Sequence, residues 1–137
     1  MSRARDRADG VLHNRTHEDT DGGRESIVTF KGEQSGGEIS TLAQIQASHD
    51  GTSDDEKADL IFKTNDGSDG ASPTEAIRIT SAQKIGIGTN DPTGNVEIAT
   101  SASDTGVDLV LDGNKSSNGG VGSIIFNNAG DSVGMIR

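Results

Sequence analysis

Glu75-Ala76-Ile77-Arg78-Ile79-Thr80-Ser81-Ala82-Gln83-Lys84-Ile85-Gly86-Ile87-Gly88-Thr89-Asn90-Asp91-Pro92 is the stretch that decides the fold. Ile77 and Ile79 alternate with Arg78 and Thr80, the period of a strand with one apolar face. Ser81 to Gln83 reads as a turn. Ile85 and Ile87 then share a face with bare Gly86 and Gly88 behind them, where glycine permits close approach of another backbone. Thr89 to Pro92 forms a second turn, stiffened by proline. Asn95 to Thr100 resumes the alternation, pairing Val96 with Ile98 around Glu97.

The same grammar extends outward in both directions. Ser26–Lys31 places Val28 and Phe30 on one face. Ala58–Thr64 sets Leu60 and Phe62 against Asp59, Ile61 and Lys63, and Asn65 to Gly70 is a strong turn signal. Val107–Asp112 aligns Val107, Leu109 and Leu111. Val121–Asn127 carries Ile124 and Phe126, and Ser132–Arg137 carries Val133 and Met135. Glu38–Ser48 fits a strand through Ile39, Thr41, Ala43, Ile45 and Ala47, but also a helix through Ile39, Leu42, Ala43 and Gln46; its strand neighbours favour the strand. Residues 1–24 read as an N-terminal attachment segment, with a short helix open to Arg3–His17 except that Gly10 interrupts it. Residues 25–137 read as a β-rich shaft module, possible as part of a longer array. Weak internal echoes link Ser26–Phe30, Asp59–Phe62 and Ser123–Phe126 without a fixed period.

Composition limits what such strands can build. The chain has 137 residues, a hydrophobic fraction of 29%, a formal charge of −10, three Phe and no Trp or Tyr. Leu, Ile, Val and Phe number 27, just under a fifth of the chain, at the border of disorder for an isolated chain. Yet Ile and Val number 19 against five Leu, a bias toward β-branched side chains that suit strands. The two facts together predict an all-β protein that buries its few apolar residues against other copies of itself.

Several classes of function are disfavoured. No run approaches the roughly 18 apolar residues of a membrane-spanning helix, and the N-terminus is not a secretory signal. Without Cys there is no disulfide, thiol catalysis or Cys-ligated zinc. Residues 17–137 carry 20 acidic against 8 basic groups, and no aromatic residues interleave the basic ones, so nucleic acid is a poor partner. His13 and His17 stand at i, i+4, but Asn14 occupies the place of the zincin Glu. His49-Asp50 near Ser48 and Ser53 lacks a Gly-x-Ser-x-Gly elbow and reads as a turn. The acidic turns at Asp19–Gly22 and Asn65–Gly70 offer hard oxygen ligands without EF-hand spacing, so they read as Asx-Gly turns. Gly119–Gly122 begins like a calcium β-roll repeat but has Ile124 where Asp belongs. Gly86-Ile87-Gly88 lacks the third glycine of a phosphate cradle. Asn14-Arg15-Thr16 and Asn114-Lys115-Ser116 match the glycosylation sequon. No catalytic, cofactor-binding or metal-binding residue is assigned, and no enzyme activity is expected.

Glu75 to Pro92 resembles a signature of phage tail fibres and tail spikes, in which an E-x-x-R-I strand leads through a turn to I-G-I-G-T-x-x-P. Asn95 to Ile98 is similar to the strand that follows it there. His49–Asp55, Ala58–Gly67 and Ser123–Asn127 resemble shaft repeats of the same family, so the resemblance spans about residues 25–137. It implies an elongated, intertwined homotrimeric β-fibre, a β-helix or β-prism-like shaft on the virion tail, involved in host attachment. Its partners would be two further copies, other virion tail proteins through the N-terminal segment, and a host surface glycan or protein receptor. Many members end in an autocleaving chaperone domain like that of endosialidases, and nothing here resembles it. The family also includes bacterial surface proteins, so a self-assembling extracellular filament or adhesin is one alternative and a glycan-depolymerising spike another. On this reading the inter-chain core comprises Ile77, Ile79, Ile85, Ile87, Val96, Ile98, Leu109, Leu111, Ile124 and Phe126.

Overall fold

A computed structural model describes residues 10–67, 72–100 and 106–110, together with strands at 124–128 and 131–136. Among these the protein is all-β, with no helix. The strands are β1 (Ser26–Glu33), β2 (Ile39–His49), β3 (Ala58–Thr64), β4 (Thr74–Ile79), β5 (Ile85–Ile87), β6 (Val96–Ile98), β7 (Ile124–Asn128) and β8 (Asp131–Ile136). The chain divides into two units, Met1–Thr105 and Gly106–Arg137. The first holds one six-stranded sheet in the order β1-β2-β3-β4-β5-β6; the second holds the β7-β8 hairpin.

The segment open to two readings is a strand, Ile39–His49, the longest among the described residues. It lies between β1 and β3, and both neighbours pair with it antiparallel, which settles helix against strand through tertiary pairing. Residues 10–17 are not helical. The expected strand at Val107–Asp112 is absent from its described part, Val107–Val110, with which none of the described strands pairs. His49, read as part of a turn, is instead the last residue of β2.

Strands β1 to β5 follow one another antiparallel, but β6 pairs parallel to β5, joined only by residues 88–95. Parallel neighbours ordinarily need a crossover of about a dozen residues or more. The short connection works because it folds back over the polar side of β5. A Cβ on Gly86 would lie 2.2 Å from the Thr89 carbonyl oxygen, and one on Gly88, at φ 72°, would lie 2.2 Å from that of Ala99. Lys84 Nζ donates to the carbonyls of Pro92 at 3.0 Å and Thr93 at 3.1 Å. Glu97 accepts from the Thr93 amide at 2.7 Å and its hydroxyl at 2.9 Å, and these bonds hold its carboxyl below the usual range. The backbone that requires the two glycines is therefore the chain's own. Gly86→Ala should cost about 1–3 kcal/mol, because the methyl meets a fixed carbonyl; a chemical-denaturation midpoint equal to wild type would refute this.

In the six-stranded sheet two β-bulges set which side chains share a face, and a third shifts the β7-β8 register after Phe126. The β3-β4 register shifts after Phe62, leaving Ala76 as the extra residue. In a regular strand Glu75 and Arg78 would point to opposite faces; the bulge puts them on the same one. The three-residue spacing of the E-x-x-R pair has its physical reason there. The β1-β2 register shifts after Phe30, with Leu42 extra.

Candidate functional site

Reading the register across the sheet separates two faces of opposite character. On one, Ser26, Ala47, Leu60, Ile79, Ile85 and Val96 form a row crossing all six strands. Val28, Ile45, Phe62, Ile77, Ile87 and Ile98 form a second row beside it. Phe30, Ala43, Thr64 and Thr74 begin a third. This face is apolar and partly open: Phe30 is 48%, Ile87 37% and Val96 61% exposed, while Phe62, Ile79, Ile85 and Ile98 are half-buried. Interaction sites commonly form on contiguous exposed apolar surface of this kind.

Most of the burial lies on the other face, whose residues are mostly polar, while buried His49 ends β2 opposite Ala58 on the apolar side. Gln46, Ser48 and Asp59 are buried there, and Ile61, at 3% exposure, is the one large aliphatic side chain buried among the described residues. Arg78 anchors this side. Its Nε and Nη2 donate to the two carboxylate oxygens of Glu75 at 2.9 and 2.6 Å, and its Nη1 pairs with Asp59. The hydrogen bonds from Glu75, then those from Asp59, raise the guanidinium's already high pKa. Asp59 also accepts from the Ser81 amide at 2.8 Å, and the Ser81 hydroxyl donates to Asp50. The turn after β4 is thus fastened to β3 through a buried carboxylate, which must be fully paired to be tolerated.

A second polar cluster closes the end of β2. The His49 ring has one nitrogen 3.3 Å from the Thr20 carbonyl and the other 3.2 Å from Asp55 Oδ1. The His49 amide donates to Gly23 O at 2.8 Å, and its carbonyl accepts from Gly22 N at 2.9 Å, so residues 20–24 are clasped to the sheet. Arg24 reaches the Asp55 carbonyl at 2.8 Å. Hydrogen bonds from the Lys57 side chain, then its amide, and from His49 lower the Asp55 pKa from 3.8 to about 2. Because the folded value is depressed, this contribution is present above about pH 4 and is lost as the pH falls to about 2. An Asp55 carboxyl titration by NMR should have its midpoint near 2 and a higher one in Lys57→Ala, which keeps the amide but loses the ammonium; an unmoved midpoint in the variant would remove the Lys57 side chain as the main cause.

The residues expected to form an inter-chain core distribute unevenly. Ile77, Ile79, Ile85, Ile87, Val96 and Ile98 all lie on the one apolar face. Val28, Phe30, Ile45, Leu60 and Phe62 complete it. Their alternation was visible in the sequence, but joining them to the same surface required the register. Leu109 is exposed and outside any strand, and Ile124 is exposed on β7. Phe126 stands on the same strand two residues along, and Leu111 lies outside the described residues.

The remaining candidates resolve into local structure. His13 and His17 are exposed on a non-helical segment, without the i, i+4 face a metal would need. Asp21 accepts from the Gly51 amide at 3.0 Å, and Asn65 Oδ1 from the Gly67 amide at 2.8 Å with Gly67 at φ 91°. Asn65 thus closes an Asx turn at Gly67, whereas Asp21 ties its stretch to the loop after β2. Among the described residues no three His, Asp or Glu side chains converge to hold a metal ion, and none forms a helix long and apolar enough to cross a membrane. Asn14 caps the segment before β1, donating to Glu25 O at 2.9 Å. Arg3, Arg5 and Arg7, Asn114 and the Gly119–Gly122 stretch lie outside the described residues. No protein-family model matches the chain, and no curated protein matches it.

Proposed function

We propose that this protein is a non-enzymatic structural module of a phage tail fibre or spike shaft, working as a homotrimer in host attachment. The observation that carries the self-associating part is the inverted distribution of burial: polar side chains are enclosed and the apolar rows are open. A single sheet with one apolar face has to cover it, and a second layer is the usual solution. The described residues of the first unit provide no such layer. Three copies presenting this face to a common axis would supply it, with Ile77, Ile79, Ile85, Ile87, Val96 and Ile98 in the shared core. Closed symmetry then limits growth to a defined oligomer. The assignment to a phage tail rests on the resemblance of Glu75–Pro92 and its flanks.

Glu75 and Asp59 are both bound by Arg78, which fits a structural role for these carboxylates. On this reading residues 1–24 dock on other tail proteins, and the receptor is a host surface glycan or protein. Sedimentation velocity with electron microscopy tests the proposal. Closed, elongated trimers are expected. Open-ended filaments would favour a bacterial surface filament or adhesin, and stable monomers at micromolar concentration would overturn self-association. Release of sugars from host polysaccharide would replace the structural reading with a depolymerising spike.

A further inference from the structure

His49 is a buried titratable side chain whose two ring nitrogens both face oxygen. It stands at the end of β2 with its side chain 1% exposed. Nδ1 lies 3.3 Å from the Thr20 carbonyl oxygen, and Nε2 lies 3.2 Å from Asp55 Oδ1. A carbonyl oxygen can only accept. An ionised carboxylate can only accept as well, and Lys57 keeps Asp55 ionised, with its ammonium 3.1 Å from Oδ2 and its amide 3.1 Å from Oδ1. A neutral imidazole has one N–H and one lone pair. In either tautomer one nitrogen would turn its lone pair toward an oxygen. Only the doubly protonated ring satisfies both contacts.

Charged groups reach this end of the sheet from each element packed there. From the segment before β1, Arg24 reaches the Asp55 carbonyl at 2.8 Å and Asp19 at 3.9 Å, while Glu18 accepts from the Arg24 amide at 3.1 Å. Asp21 accepts from the Gly51 amide at 3.0 Å, and Asp50 accepts from the Ser81 hydroxyl. The loop after β2 contributes Asp55, Glu56 and Lys57, which line one cleft with His49 and Arg24. From β3, Ala58 stands opposite His49, and the neighbouring Asp59 pairs with Arg78 on the other face. What the ring holds is a tight loop. The Thr20 carbonyl also accepts from Gly23 N at 2.9 Å, and a Cβ on Gly23 would lie 2.6 Å from Thr20 Oγ1. Arg24 takes a left-handed backbone at φ 48°, which favours glycine and persists only where its surroundings enforce it. Detachment would let Arg24 relax, so the loop is poised between two arrangements.

We infer that His49 is a proton-operated latch: charged, it fastens residues 20–24 to the end of β2, and on losing its proton it releases them, freeing the segment that precedes β1 to reorient. The direction follows from the contacts. The closed loop needs the second N–H and the charge opposite Asp55, and the open loop needs neither, so by linkage a rising pH favours opening. The latch goes beyond the shaft reading and does not depend on it.

Carbon-detected NMR of the full chain between about pH 5 and about pH 9, a range that spans the charge change of histidine, tests this. At the acid end both ring nitrogens of His49 should carry protons. As the pH rises, the carbon signals of Thr20 and Gly22–Arg24 should move to the positions of an unstructured segment along one curve shared with the His49 ring. Signals of β3 and β4 should stay in place. His49→Gln, which cannot change charge in this range, should remove the response. Asp55→Asn should bring opening to a lower pH, since the charged ring loses its partner. The double variant His13→Gln, His17→Gln should keep the response, because both side chains are exposed outside the clasp. A singly protonated His49 ring at the acid end, a clasp unchanged up to about pH 9, or a response that survives His49→Gln would each overturn the inference.

Discussion

Ile87→Asp is expected to convert the proposed trimer to a monomer in sedimentation velocity, with the far-ultraviolet circular dichroism of the sheet retained. Ile87 sits within the row that runs from Val28 through Ile45, Phe62 and Ile77 to Ile98. In the single chain Ile87 is 37% exposed, so a carboxylate there keeps access to water. Between chains the position changes meaning. Each copy would bring one carboxylate into an apolar layer, at an effective cost of several kcal/mol per ion. It would also forfeit the roughly 1.5–3 kcal/mol gained by burying an isoleucine. Threefold repetition multiplies both. Thr29→Asp introduces the same charge on the opposite face, where Thr29 pairs with Gln44, and should leave the trimer intact. An Ile87→Asp protein that still sediments as a trimer would exclude this face from the interface.

Arg78→Met should lower the stability of the six-stranded unit by about 3–5 kcal/mol, the cost of leaving buried charges without their partner. The guanidinium satisfies both Glu75 and Asp59, and the Asp59 side chain is only 7% exposed. Methionine fills most of the volume but donates nothing. The turn at Ser81, held by Asp59, should loosen with it, seen as faster amide exchange at Ser81. The diagnostic comparison is the triple variant Asp59→Leu, Glu75→Leu, Arg78→Met. Removing the whole ion cluster leaves no orphaned charge, so it should recover a large part of the loss. If Arg78→Met unfolds at the wild-type denaturant concentration, the cluster contributes no net stability and its role is confined to directing the bulge.

How much of this was legible beforehand varies by residue. The alternation of Ile77 with Arg78 and of Ile85 with Gly86 identified strands, because the side-chain period of a strand is local. The long β2 was ambiguous because Ile39 and Ala43 fit both periods, with Ile45 and Ala47 completing a strand and Leu42 and Gln46 a helix, and only pairing with β1 and β3 decides. Glu75 and Arg78 could not be recognised as partners, since a spacing of three separates side chains on a regular strand and the bulge at Ala76 has no local signature. The three bulged hairpins were visible only as loose echoes around Phe30, Phe62 and Phe126. Register alignment makes them equivalent.

The sequence by itself determined that the protein is built of β-strands and that its apolar side chains are too few for an ordinary enclosed core. Both follow from residue type and spacing, which act within a few residues. Only the tertiary structure decided that the open apolar rows and the buried polar cluster occupy opposite faces of one sheet. That outcome depends on registers between strands far apart in the chain, on two bulges that reverse the facing of Glu75 and Leu42, and on a loop that passes over Gly86. Each is a nonlocal contact, and alternation alone leaves open which face it will cover.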